Sequence, residues 1–169
     1  AQSWERQQGD DSFFAFRTLK DDALLAFYGS STFFAVPGRS WEVGLARSNS
    51  GKMGGPWERL TSGINPLDLG EGRGAVENPI VLTVRHPSSG IPYLLMVHDW
   101  VTPYNPNTDG FGFSWSTDGY TWAPTEKVKV DGGVRAPMGL LPRPGGAGSN
   151  LSIYYNVAGH YDSLYVGVV

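Results

Sequence analysis

The 169 residues suffice for one domain with a sizeable core. With 23 Gly, 12 Pro, 6 Trp, 8 Tyr and 8 Phe against only 17% charged residues, the composition favours many short strands joined by tight turns. A formal charge of −3 without a basic cluster excludes a nucleic-acid footprint, no apolar run is long enough for a membrane-spanning helix, and the absence of cysteine excludes disulfides and thiolate metal sites.

In chain order, Ser3-Trp4-Glu5-Arg6 reads as an outer strand, and Trp57-Glu58-Arg59 repeats its step. Between them lie strand-like runs at Phe13–Leu19, Ala23–Gly29 and Trp41–Arg47. A second pass has Ile80–Arg85, Tyr93–Asp99, Phe111–Ser116 and Trp122–Val130, and a shorter third has Met138–Pro142, Leu151–Val157 and Ser163–Val169. Asn78-Pro79 precedes the Ile80 run, and Pro79 suits the first residue of a strand because it cannot donate to a ladder. No window shows a helical period.

The expected fold is therefore all-β. Repetition of strand, turn, aromatic-rich strand, loop and Gly-containing strand, with a Trp-led strand closing the first two passes, indicates propeller blades. The approximate blades are 7–62, 74–130 and 134–169, with 1–6 as the outer strand of a neighbouring blade. Three blades are fewer than the roughly four to eight that close a propeller, so the chain reads as one partial propeller domain, a section of a larger ring. A β-sandwich of about eleven strands is the structural alternative.

Val43-Gly44-Leu45-Ala46-Arg47-Ser48 with Gly54-Gly55-Pro56-Trp57, the hairpin Ser116-Thr117-Asp118-Gly119-Tyr120-Thr121-Trp122, and Glu77-Asn78-Pro79 occur here in one order. In that order they resemble motifs of the five-bladed β-propeller glycosidases, the arabinanase, β-xylosidase and invertase-like group. The first two motifs are blade grammar and nearly silent on activity. In the hairpin, Asp118 is placed to accept turn amides, Gly119 to take positive φ and Trp122 to cover the blade's apolar face.

Glycoside hydrolysis needs two carboxyl groups, one protonated and one ionised. The resemblance implies the general-acid role for Glu77, and the apolar strand that follows it makes partial desolvation plausible. A structural or ligand-contacting glutamate is the alternative. Asp10-Asp11-Ser12 opens the preceding blade where relatives carry an aspartate that orients the acid; the proline that follows theirs is Ser12 here, and Asp11 is the better match. Its alternative is a turn residue before a strand. The family's base or nucleophile is an aspartate opening an earlier blade, and no residue here matches it. Arg135 opens the third blade and is a candidate ligand contact. Trp100 is a candidate for stacking on a sugar ring, and His98 is either a ligand contact or a satisfied core histidine. His160 alone is not a metal site, and Pro144–Ser149 lacks the strand-to-helix context of a phosphate loop. No metal and no cofactor is expected.

Three functions stay open. One is a glycosidase-like propeller acting on a polysaccharide or oligosaccharide, and another is a carbohydrate-binding propeller without catalysis. The third is a purely structural propeller section. The expected partners are a carbohydrate ligand and the remainder of the propeller or a partner chain; neither nucleic acid nor a membrane is expected. Ala1 begins no signal-peptide pattern, so a targeting segment is expected to be absent or removed. The compartment is left open, an extracellular one among the readings, and Asn150-Leu151-Ser152 is a glycosylation pattern common by chance.

Overall fold

Short β-branched and aromatic runs punctuated by Gly, Asp and Pro form hairpins wherever alternate side chains find a common apolar face. The computed structural model describes residues 13–31, 41–60, 64–65, 67–70, 76–100, 108–134, 136–143, 151–157 and 160–168; at several strand ends only the backbone is described. The first sheet has β1 (Phe13–Arg17), β2 (Leu24–Ser31), β3 (Trp41–Ser48) and β4 (Trp57–Arg59). The middle sheet has β5 (Val76–Arg85), β6 (Pro92–Trp100), β7 (Thr108–Ser116) and β8 (Glu126–Val134). The third has β9 (Ala136–Pro142), β10 (Leu151–Val157) and β11 (His160–Val168).

Within each sheet consecutive strands are antiparallel neighbours, in the orders β1-β2-β3-β4, β5-β6-β7-β8 and β9-β10-β11. Among the described residues there is no helix, no closed barrel and no strand that crosses between sheets. The protein is all-β, and its described residues form three up-and-down sheets of blade-like form, the third with three strands as its sequence suggests.

The middle sheet buries both faces. Val81, Leu94 and Met96 point to the first sheet and pack with Phe16, Leu25, Phe27, Val43 and Leu45. Ile80, Leu82, Leu95, Val97, Phe111 and Phe113 point the other way and pack with Leu140, Leu151, Ile153 and Tyr155 of the third. This two-sided burial follows from the period of two, which sends neighbouring apolar residues of one strand into different cores. β5 lies beside both β1 and β9, so the first strands of the three sheets are neighbours.

Two boundaries differ from the sequence reading. β5 starts at Val76 rather than Ile80, because Asn78 adopts φ 48° and the register shifts between Glu77 and Ile80. The resulting bulge accommodates Pro79, which has no ladder donor, and buries it completely. The outer strand of the middle sheet starts at Glu126 rather than Trp122. Trp122 instead folds inward, edge-on to Phe16 at 6.0 Å and tilted on Phe27 at 5.7 Å. Ala123 donates its N–H back to Trp115 O at 2.9 Å and Thr125 to Leu69 O at 2.8 Å, which keeps this segment out of the ladder. Its indole Nε1 is buried without an acceptor among the described residues.

Candidate active-site rim

The Ser116–Trp122 loop locks the middle sheet to the first and thereby fixes how β5 stands beside β1. Asp118 Oδ1 accepts the N–H groups of Tyr120 and Thr121, each at 2.8 Å, and the Ser116 hydroxyl at 3.0 Å. Burial pushes the Asp118 carboxyl up, but the Thr121 and Tyr120 amides and the Ser116 hydroxyl outweigh it and hold the pKa below 3.8. Gly119 has φ 98°, and a Cβ there would lie 2.9 Å from Thr18 Cγ2. The Asp118 carbonyl accepts from the Leu19 and Lys20 amides, and Tyr120 donates its hydroxyl to the Asp21 carboxylate at 3.2 Å. Thr18 Oγ1 also donates to Asp21 Oδ1 at 2.7 Å. The bond from Thr18, then that from Tyr120, lowers the Asp21 pKa, whereas burial and the bond to Asp21 raise that of Tyr120.

At the opposite end of the middle sheet β5 opens with Val76 paired to Trp100 and Glu77 paired to Asp99. The bulge at Asn78-Pro79 follows directly, so Glu77 stands at the mouth of the strand, held by one ladder register and then a break in it. Two acids thus occupy facing positions on adjacent strands. Asp99 was not singled out from the sequence, because the extra bulge residue hides which β6 residue faces Glu77. For Glu77, Asp99 and Trp100 the backbone alone is described.

His98, one position earlier on β6, is fully buried, with Nε2 3.1 Å from Thr125 Oγ1. Its ring fills the space over Gly112, its register partner on β7, where a Cβ would come within 2.8 Å of three ring atoms. His98 therefore occupies a core position beneath the strand end that carries Trp100. Asp11 and Arg135 lie outside the described residues. By sequence Asp11 stands two positions before β1, and Arg135 falls between β8 and β9. Among the described residues no group of three or more His, Cys, Asp or Glu could hold a metal ion.

No protein-family model matches the chain, and no curated protein matches it in sequence. The geometry of the rim therefore stands on its own residues. Its content is a glutamate at a strand mouth, an aspartate in register with it on the neighbouring strand, and a tryptophan at that strand's end.

Proposed function

We propose that the chain is a section of a propeller of the glycosidase type, in which the opening of β5 binds a polysaccharide or oligosaccharide and Glu77 is the general acid. The observation that carries the reading is the placement of Glu77. It sits at the mouth of the strand that lies beside both neighbouring sheets' first strands, immediately before a bulge that fixes the backbone. Asp11 precedes β1 and Arg135 precedes β9, so the same reading brings these openings to one rim. Trp100 would stack on a sugar ring, and Arg135 would hold hydroxyls. The bond-breaking step needs a protonated Glu77 to deliver its proton to the departing glycosidic oxygen. An ionised carboxylate on the other side of the sugar activates water or attacks C1.

Replacing Glu77 by Gln tests this on arabino- and xylo-oligosaccharides. Loss of hydrolysis by orders of magnitude with an unchanged thermal midpoint is the expected result; undiminished hydrolysis removes the acid assignment. A carbohydrate-binding role without hydrolysis is the second reading, favoured by Trp100 standing in register with Val76 at the opening of β5. It predicts saccharide binding that Trp100→Ala abolishes in a chain with no activity to lose.

The partner assignment has separate support. On the face of the third sheet turned away from the middle sheet, Leu141 is 53% and Val166 56% exposed. Among the described residues β11 pairs only with β10, leaving one edge open. An apolar flank and an unpaired edge together fit further blades or a partner chain.

A further inference from the structure

A cleft of about 480 Å³ opens at the far end of the middle sheet, between the His86–Ile91 turn, Tyr93 and Trp115. Ile91 is 62% and Trp115 51% exposed there, two large apolar side chains that line one cleft. The cleft's position in the repeat explains their exposure. Trp115 precedes Ser116 at the end of the third strand of its sheet and stands in register with the part-buried Leu95 of the second strand. Arg47 precedes Ser48 at the end of β3 and stands in register with buried Leu25 of β2. The first turns also correspond: Thr18 N–H bonds Ala23 O at 3.0 Å, and His86 N–H bonds Ile91 O at 2.9 Å.

The cleft is thus the same corner of the middle sheet that, on the first sheet, is filled by the Ser116–Trp122 loop. In the filled corner Gly119 lies on Thr18, Tyr120 reaches the Asp21 carboxylate that pairs with Arg47, and Trp122 covers Phe16 and Phe27. Beside the open corner the described strands of the neighbouring sheet are β9, β10 and β11, and β11 is the counterpart of β7, the strand from which that loop springs.

We propose that this cleft is a socket for a polypeptide hairpin turn of the Ser116–Trp122 kind, carried on the strand that pairs with the outer edge of β11. A glycine of that turn rests on the His86–Ile91 turn, and an aromatic ring lies against Trp115. The lining matches such a guest: His86 Nδ1 accepts the Ser89 N–H at 3.4 Å, which leaves Nε2 to meet a backbone group of the guest. Among the described residues no Lys, Arg, Asp or Glu lines the cleft. A second copy of this chain does not supply the turn, because its own loop is already engaged on its own first sheet. The inference rests on the sheet packing and is independent of the reading of Glu77.

The test uses the full chain, labelled with nitrogen-15, and a peptide spanning Ser116 to Thr125 closed into a hairpin by a disulfide between added terminal cysteines. Saturable shifts of the Trp115 indole signal and of the backbone signals from His86 to Tyr93 are expected. Gly119→Val in the peptide should weaken binding by about tenfold or more, as should Trp115→Ala in the chain. Because Trp115 is half exposed, that variant keeps its fold, and Ile91→Ser in the chain is a second variant expected to weaken binding. Unmoved signals would overturn the proposal, as would equal binding of both peptides. So would shifts at these residues produced by a neutral oligosaccharide and not by the peptide, which would make the cleft a saccharide site.

Discussion

Two corners of the molecule share one backbone plan and differ in what fills them. Between the first and middle sheets, the Thr18–Ala23 turn is covered by a loop that brings Trp122 to 6% exposure and leaves Phe27 at 1%. Between the middle and third sheets, the His86–Ile91 turn stands uncovered and Trp115 is 51% exposed. The hydrogen bond that closes each turn is the same, so local turn chemistry does not decide whether a corner is sealed. What differs is the cover: the Ser116–Trp122 loop lies on the first turn, and the described residues place no such loop on the second. Stability in this chain therefore resides in the joints between sheets, as repeat architectures require of units that cannot bury a face alone.

The largest separation between the corners should come from the two tryptophans. Trp122→Ala removes the side chain that fills the space against Phe16 and Phe27 and should cost about 3–5 kcal/mol. Trp115→Ala removes a ring half in solvent and should change stability by no more than about 0.5 kcal/mol. Urea unfolding of both variants measures the difference. Equal losses would mean that the open corner already supports the fold, and the comparison would fail.

A smaller effect should follow at Gly119. Its φ of 98° belongs to a region that L side chains rarely adopt, and a Cβ would press within 2.9 Å of Thr18 Cγ2 and 3.1 Å of the Thr18 Cα. Gly119→Val should therefore destabilise by about 1–3 kcal/mol from backbone strain, with the loop pushed off its seat. Gly90, in the His86–Ile91 turn of the open corner, also has positive φ, at 69°, but a Cβ there meets nothing within 4 Å. Comparing Gly119→Ala with Gly90→Ala separates strain alone from strain plus contact. The contact reading requires the Gly119 change to be the more costly.

The same comparison explains what the sequence made legible. Strand positions follow from short runs of branched and aromatic residues bounded by turn residues, and all three sheets could be outlined from them, because a strand buried on both faces reads as a continuous apolar run. The Asp118-Gly119 turn was readable because its chemistry is local: a carboxylate accepts amides two and three residues ahead. Trp122 was misplaced onto β8 because Trp57, its apparent counterpart, does lead β4. Only the inter-sheet space beside Phe16 and Phe27 distinguishes the two tryptophans. At the rim, Glu77 was found from Glu-Asn-Pro, but a proline at a bulge and a proline at a strand start both merely lack a ladder donor. The four extra residues of β5, and with them the Glu77–Asp99 register, were therefore invisible. For His98 the sequence left a ligand contact and a core histidine open, and the structure buries it in the space that Gly112 leaves on another strand.

The finest test of the sealed corner is its response to acid. Asp118 and Asp21 both have folded pKa values below 3.8, the first through loop amides and the Ser116 hydroxyl acting against burial, the second chiefly through Thr18 and Tyr120. A depressed carboxyl binds its proton less readily in the folded chain than in the unfolded one. It therefore contributes stability that is present above 3.8 and is lost as pH falls below it through the folded value. Stability should accordingly be level from neutral pH down to about 5 as far as these groups are concerned, then fall steeply below about 4. Asp118→Asn keeps an oxygen that accepts the Tyr120 and Thr121 amides but removes the charge, so it should lower stability at pH 7 by about 1 kcal/mol and flatten the acid limb. Asp21→Asn should flatten it further, because Asp21 bonds Thr18 in its own turn and Tyr120 across the joint. Among the described residues no carboxylate lines the open corner, so Trp115→Ala should leave the shape of the acid limb as it is. Thermal midpoints of the three variants between pH 2.5 and 7 make the comparison. An acid limb that stays as steep in the double variant Asp21→Asn, Asp118→Asn would place the acid-sensitive groups elsewhere and separate the sealing of this corner from its charges.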